Sequence, residues 1–153
     1  MTQEVLINLD GKAKGDGESI KLCLISEDVH DGTIEEVVNL KGSNFDSGAE
    51  EEKIVINVKP NGFEGIISKW CSTKITKGSG TYSSSTLYVI AEKAKLLDQI
   101  KDQQENLTTA EMLAKFFNEK LKGKKCKVLT KTVTSKADAT KKYSKIDKFI
   151  SFE

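Results

Sequence analysis

The chain contains no arginine, and all 24 of its basic residues are lysines. Arginine binds guanine edges and carboxylates through two parallel hydrogen bonds, whereas the lysine ammonium group acts as a point charge. Any anion recognition by this protein therefore relies on point charges. This composition disfavours base-specific recognition of guanine.

Histidine and cysteine are also scarce. His30 is the only histidine, and Cys23, Cys71 and Cys126 lie far apart in apolar or alternating segments. Zinc would need four clustered ligands, so the sequence predicts buried free thiols and no metal site. The chain also lacks a Walker loop, a dinucleotide-binding fingerprint, a nucleophile elbow and an HExxH motif. We therefore expect a protein that is not an enzyme and that uses no cofactor.

Long apolar runs are absent as well. No segment approaches the roughly 18 apolar residues of a membrane span, and the first twelve residues lack the features of a signal peptide. The 153 residues are 37% hydrophobic and 31% charged, which is typical of one soluble domain. We expect a single domain over residues 1–153, located in the cytoplasm and without a membrane partner.

Charge is distributed unevenly although the net charge is only +1. Residues 1–65 contain 6 lysines and 14 acidic residues, whereas residues 66–153 contain 18 lysines and 9 acidic residues. Between Lys120 and Lys148 there are 11 lysines and 2 acidic residues. Such asymmetry is typical of proteins that contact nucleic acids or membranes. Attraction between the two halves within the fold, or a codon bias toward lysine, would also explain it.

Alternating apolar residues predict strands in the first half of the chain and again near its end. Residues 30–33 (HDGT) and 60–62 (PNG) have the composition of turns between them. The predicted strands are Leu6–Leu9, Ile20–Ile25, Ile34–Leu40, Lys53–Lys59, Gly65–Ile75, Lys125–Lys131 and Tyr143–Phe152.

A helical period replaces the strand period in the middle of the chain. An apolar stripe from Leu87 to Leu97 predicts one helix, with serines before it that suit an N-cap. Thr108 and Glu111 have the spacing of a capping box, which predicts a second helix over residues 109–121. Its predicted buried stripe is Met112, Leu113, Phe116, Phe117 and Leu121.

These elements predict a mostly-β domain with a helical insertion, about residues 85–121, before the last two strands. A helix ahead of the fourth strand is the layout of the five-stranded OB barrel. An α+β sandwich of the ferredoxin-like kind is the alternative. That fold requires a helix between its first two strands, where the sequence offers only the glycine-rich segment GKAKGDGE.

Lysines interleaved with aromatic residues form two candidate binding segments. Proteins that bind single strands combine cations along the backbone with aromatic faces on which bases stack. Trp70 shares a strand face with Ser68 and Ser72 but also with Ile66, so a core position and an exposed position both remain open. Tyr143 could likewise close the rim of a barrel. The candidate residues are Lys69, Trp70, Lys74, Lys77, Tyr82, Lys125, Lys127, Lys131, Lys141, Lys142, Tyr143 and Lys145.

Four segments together resemble those of small phage and prophage OB-fold single-stranded-DNA-binding proteins. They are TIEEVVNLKG, EKIVINVKPNGFEGIISKW, SSSTLYVIAEKA, and the closing pair LKGKKCKVLTKTV and YSKIDKFISF. The resemblance covers about residues 34–153. It implies an OB-fold protein that binds single-stranded DNA with weak sequence specificity during replication or recombination. The first 30 residues have no counterpart in it, and the helical insertion is longer.

Two main hypotheses follow from the sequence, and a small enzyme with a carboxylate-based site is a third option. In the first, the protein binds single-stranded DNA, with RNA and a homo-oligomeric state left open. In the second, it is a non-catalytic interaction or structural module, in which the acidic N-terminal half of one subunit contacts the basic C-terminal half of another.

Overall fold

A computed structural model describes residues 24–43, 50–79, 81, 83–134 and 141–153. Within these residues five strands form one antiparallel sheet in the order β3-β2-β1-β4-β5. The strands are β1 (Val29–Ser43), β2 (Glu50–Pro60), β3 (Ile67–Cys71), β4 (Lys125–Thr134) and β5 (Lys142–Phe152). The predicted strand Leu6–Leu9 lies outside the described residues. Leu24 and Ile25, the described end of another predicted strand, are in irregular structure.

Helices occupy the connection between β3 and β4, as predicted. They are α1 (Thr86–Lys93), α2 (Leu97–Asp102), a 3-10 turn (Gln104–Asn106) and α3 (Ala110–Leu121). The architecture is therefore mostly β, with a helical insertion before the last two strands. None of the described helices is long and apolar enough to cross a membrane.

The described strands form an open sheet that is not closed into a barrel. β3 and β5 are its two edges, and no backbone ladder joins them in the described ranges. The edges nevertheless approach each other, since the Lys69 ammonium group donates a 2.6 Å hydrogen bond to the carbonyl oxygen of Asp147. β3 has only five residues. The Lys69 side chain therefore bridges β3 and β5 where a longer β3 could form a backbone ladder with β5.

The helical insertion differs from the prediction in three details. The first helix ends early, because Lys95 adopts a positive φ of 61°. A separate short helix, α2, then begins at Leu97, with Leu96 as its N-cap. The N-cap of α3 is Thr109 and not Thr108, and its hydroxyl accepts a hydrogen bond from the backbone N–H of Met112. Met112 itself is 42% exposed and does not belong to the buried stripe.

The predicted turn at His30–Thr33 is also wrong, because β1 runs straight through it. Gly32 pairs with Pro60 of β2 on one side and with Cys126 of β4 on the other. Ladders on both sides hold the strand extended and override the local turn propensity. A Cβ atom at Gly32 would lie 2.7 Å from Cγ1 of Val58 and 2.9 Å from the carbonyl oxygen of Lys59. Glycine is therefore present because the neighbouring strand packs closely.

Just beyond this point the end of the helical insertion binds the edge of β1 that β4 no longer covers. The β1–β4 pairing ends at Thr33, and the β1–β2 register shifts between Ile34 and Glu36. Asn118 Oδ1 of α3 accepts a 2.9 Å hydrogen bond from the N–H of Val37. Ile34 also exchanges two backbone hydrogen bonds with Gly123 and Lys124.

The core lies between one face of the sheet and the helices. Ile34, Ile56 and Val58 of the sheet and Leu87 and Phe117 of the helices are all almost fully buried. Phe116 and Phe117 contact each other edge to face, with ring centroids 5.6 Å apart. The prediction that both phenylalanines are buried is confirmed. The opposite face of the sheet, which we call the outer face, carries the candidate site.

We predict that Gly32→Ala destabilises the fold by about 1–3 kcal/mol, because the added methyl group overpacks β1 against β2. Denaturant unfolding would measure the loss. The matched experiment is the same substitution in a Val58→Ala background, which removes the nearer clashing atom. Gly32→Ala should then be less harmful. Close packing at Gly32 would be contradicted if Gly32→Ala costs less than about 0.5 kcal/mol and its effect is strictly additive with that of Val58→Ala.

Candidate nucleic-acid interface

Alternation along β4 places four residues on the outer face and their neighbours in the core. Cys126, Val128 and Thr130 are buried. Lys125, Lys127, Leu129 and Lys131 point the other way, as predicted, and the three lysines are exposed. Same-face residues on a strand recur about every 6.6 Å, so β4 presents a row of ammonium groups.

β5 extends this row across the sheet. Lys145 lies directly opposite Lys131, and Lys148 lies opposite Leu129. Both β5 lysines are exposed. We call the five residues Lys125, Lys127, Lys131, Lys145 and Lys148 the lysine stripe.

Lys148 is a candidate that the sequence pattern missed. Simple alternation puts it on the same face as Ile146, yet Ile146 is buried and Lys148 is exposed. The β4–β5 register shifts between Leu129 and Thr130, so Asp147 is an extra residue that moves Lys148 to the outer face. No feature of the sequence signals this bulge.

The electrostatics within the stripe are uneven. Lys127 forms a 2.9 Å ion pair with Asp31, and both side chains are more than half exposed. Such a pair contributes little stability. Lys131 and Lys145 face each other as like charges. Neither ammonium group has a hydrogen-bond or ion-pair partner among the residues that the structure describes.

Trp70 also belongs to the outer face, but to a different part of it. It lies opposite Val55 of β2, and Val55 lies opposite Val38 of β1. Trp70 is half-buried, and its indole Nε1 is buried without a hydrogen-bond partner. The indole is therefore packed on the sheet surface. Its burial is intermediate between the core position and the exposed position that the sequence left open.

Lys69 lies on the core side of β3, because it is paired with the buried Ile56. Its ammonium group is held by the Asp147 carbonyl oxygen across the gap between the sheet edges. This contact gives Lys69 a structural role in the described fold. The placement removes it from the outer face that carries the lysine stripe.

The remaining candidates lie around the edges of the sheet. Lys74 and Lys77 are exposed in the coil after β3. Lys141 and Lys142 are exposed where β5 begins, and Tyr143 is half-buried opposite Val133 on the outer face. Tyr82 lies outside the described residues.

The structure thus brings the β4 and β5 candidates together but keeps them apart from Trp70. β1 pairs with β4 over Val29–Thr33. The β1 residue opposite Val55 of β2 is Val38, five residues after Thr33. That separation corresponds to about 17 Å of extended chain. Glu36, opposite Asn57 on the same face, lies between them. The outer face therefore carries two separate patches.

Burial sets the protonation of the described cysteines. Cys71 and Cys126 are free and buried, and burial raises the pKa of each thiol to about 12. Both therefore stay protonated at neutral pH. In the described ranges, no group of three or more histidine, cysteine, aspartate or glutamate residues is placed to hold a metal ion.

No family model matches the chain, and no curated protein matches it.

Trp70 is the only tryptophan, so its fluorescence reports on one position. If bases stack on it, a single-stranded oligonucleotide should quench its emission, and Trp70→Ala should lose roughly 1–3 kcal/mol of binding free energy. Trp70→Phe is the matched control, because it keeps an aromatic face and removes the unpartnered N–H. We expect it to retain most of the binding. Unchanged affinity in Trp70→Ala would exclude Trp70 from the interface.

Proposed function

We propose that this protein is an OB-like single-stranded-DNA-binding protein that uses the outer face of its sheet. The support from the fold is the order β3-β2-β1-β4-β5 together with helices between β3 and β4. The OB fold is a five-stranded, partly open barrel that commonly binds oligonucleotides. The side-chain bridge from Lys69 to β5 fits such a partly open closure.

The observation that carries the proposal is the unneutralised pair Lys131–Lys145. Like charges directly opposite each other on one sheet face are destabilising. A fold that retains such a pair, without an acidic partner in its described part, gains from a polyanion that supplies the missing negative charge. Lys125 extends the same exposed surface along β4, and Lys148 extends it on β5 beside Leu129.

The lysine stripe indicates how a strand would be held. Ammonium groups on flexible stems contact phosphate oxygens as point charges and carry little information about bases. Tyr143, on the same face, offers an aromatic surface for one base, and Trp70 offers a second at the other patch. Binding of this kind tolerates many sequences and weakens steeply with salt. Phage-type replication or recombination is the role that the resemblance implies.

The alternative of an interaction module held together by acidic and basic halves has less support. β1 and β4 are neighbours in one sheet, and Asp31 of the acidic half already pairs with Lys127 of the basic half. Part of the charge division is thus compensated within one chain. Size-exclusion chromatography at low and high salt, without DNA, distinguishes the two functions, because only the module predicts a salt-sensitive oligomer.

The stripe makes a quantitative prediction about salt. Replacing Lys131, Lys145 and Lys148 with glutamine should weaken binding of single-stranded DNA and reduce the slope of log K against log salt by about 2, since each lost phosphate contact removes about 0.7. A fluorescence titration at several salt concentrations measures both quantities.

The matched control replaces Lys93, Lys115 and Lys122 with glutamine. These lysines are exposed on the helical insertion, and their replacement changes the net charge by the same amount. The control should leave the slope nearly unchanged. Equal reductions in the two triple variants would show that net charge matters and that the stripe is not the binding surface.

A further inference from the structure

A cavity of about 610 Å³ lies between the coil that follows β3 and the helical insertion, away from the lysine stripe. It exists because the insertion is interrupted. Lys95, at a positive φ of 61°, ends α1, and only the short α2 and a 3-10 turn connect it to α3. The volume lies within the range of about 300–1,000 Å³ that is usual for small-molecule sites.

The apolar part of the lining comes from residues that the core leaves partly uncovered. Ile75, Leu97 and Leu107 are half-buried, and they meet the buried Ile100 and Leu113 in the same cavity. Aliphatic side chains that are half-exposed in a concave site form a surface on which a flat apolar group can pack. This part of the lining fits a ring system.

The polar part of the lining is varied. Lys77 and Lys101 contribute ammonium groups, and Asp98 contributes a carboxylate that accepts hydrogen bonds. Gln104 and Tyr88 add an amide and a phenol. A purely aliphatic ligand would leave these groups unused, and an inorganic anion would leave the apolar surface unused.

We propose that this cavity binds one nucleotide. The base packs among the aliphatic side chains, and Gln104, Asp98 and Tyr88 hydrogen-bond base edges or sugar hydroxyls. The phosphate is held by Lys77 and Lys101. Two sources have this chemistry: a free mononucleotide, and one unstacked nucleotide of a bound strand. The inference does not rest on strand binding at the lysine stripe, because a free mononucleotide tests the cavity alone.

The test is a titration of the ¹⁵N-labelled full chain with AMP, adenosine and inorganic phosphate, followed by amide chemical shifts. AMP should shift amides of residues 73–77 and 97–107 and bind more tightly than adenosine or phosphate. An oligonucleotide arm distinguishes the sources. Shifts there with the oligonucleotide but not with AMP assign the cavity to a nucleotide of the strand, and shifts with both assign it to either source.

The double variant Lys77→Gln and Lys101→Gln should weaken AMP binding roughly threefold to tenfold, since each exposed charge contributes modestly, while adenosine binding stays the same. The matched double variant Lys93→Gln and Lys122→Gln should bind AMP like the wild type. If neither AMP nor the oligonucleotide shifts the cavity amides, or if the first double variant binds AMP undiminished, the proposal fails. If the cavity tests fail but the slope of log K against log salt for single-stranded DNA behaves as predicted for the lysine stripe, the proposed function still stands.

Discussion

Every other part of this fold depends on β1 being hydrogen-bonded along both of its edges. At Gly32 and Thr33 the strand pairs with β2 and β4 at the same time, which joins the two halves of the sheet. A side chain at Gly32 would clash with Val58 and with the backbone of Lys59. Immediately afterwards, where the pairing with β4 ends, Asn118, Gly123 and Lys124 bind backbone groups of β1. One short stretch thus sets the sheet order and the docking of the helices.

This arrangement decides which residues are free to bind a ligand. With the helices packed on one face, the outer face of β4 and β5 has no described element covering it, and its lysines remain exposed. The same pairing that joins β4 to β5 forces Lys131 against Lys145. The sheet tolerates this repulsion in the free protein. A bound phosphate backbone would relieve it, which ties the fold's geometry to the proposed function.

Much of the fold could be predicted from the sequence because most elements have clear periods. The alternation along residues 125–131 and the buried pair Phe116 and Phe117 are local patterns, and the structure has both. The failures have tertiary causes. HDGT has the composition of a turn but is extended by two flanking ladders. The capping-box spacing to Glu111 favoured Thr108, but the adjacent Thr109 carries the same hydroxyl group and caps the helix.

The candidate site was predictable only in part for the same reason. Residue type identified lysines and aromatic residues, but their faces depend on bulges that have no sequence signal. The bulge at Asp147 places Lys148 on the outer face. The Lys69 ammonium group, between the sheet edges β3 and β5, donates to the backbone carbonyl oxygen of Asp147. The cavity in the helical insertion depends on a helix break at Lys95, a residue type that gives no warning of a positive φ.

The most direct test of the account is to map where a short single-stranded oligodeoxynucleotide binds, by amide chemical shifts and by crosslinking from photoreactive bases. The shifted and crosslinked residues should cluster on the outward-facing positions of β4 and β5, centred on Lys131 and Lys145. The outward face of α3, around Met112 and Lys115, should be unaffected. A map centred on that helix, or saturable binding that leaves β4 and β5 unshifted, would contradict it.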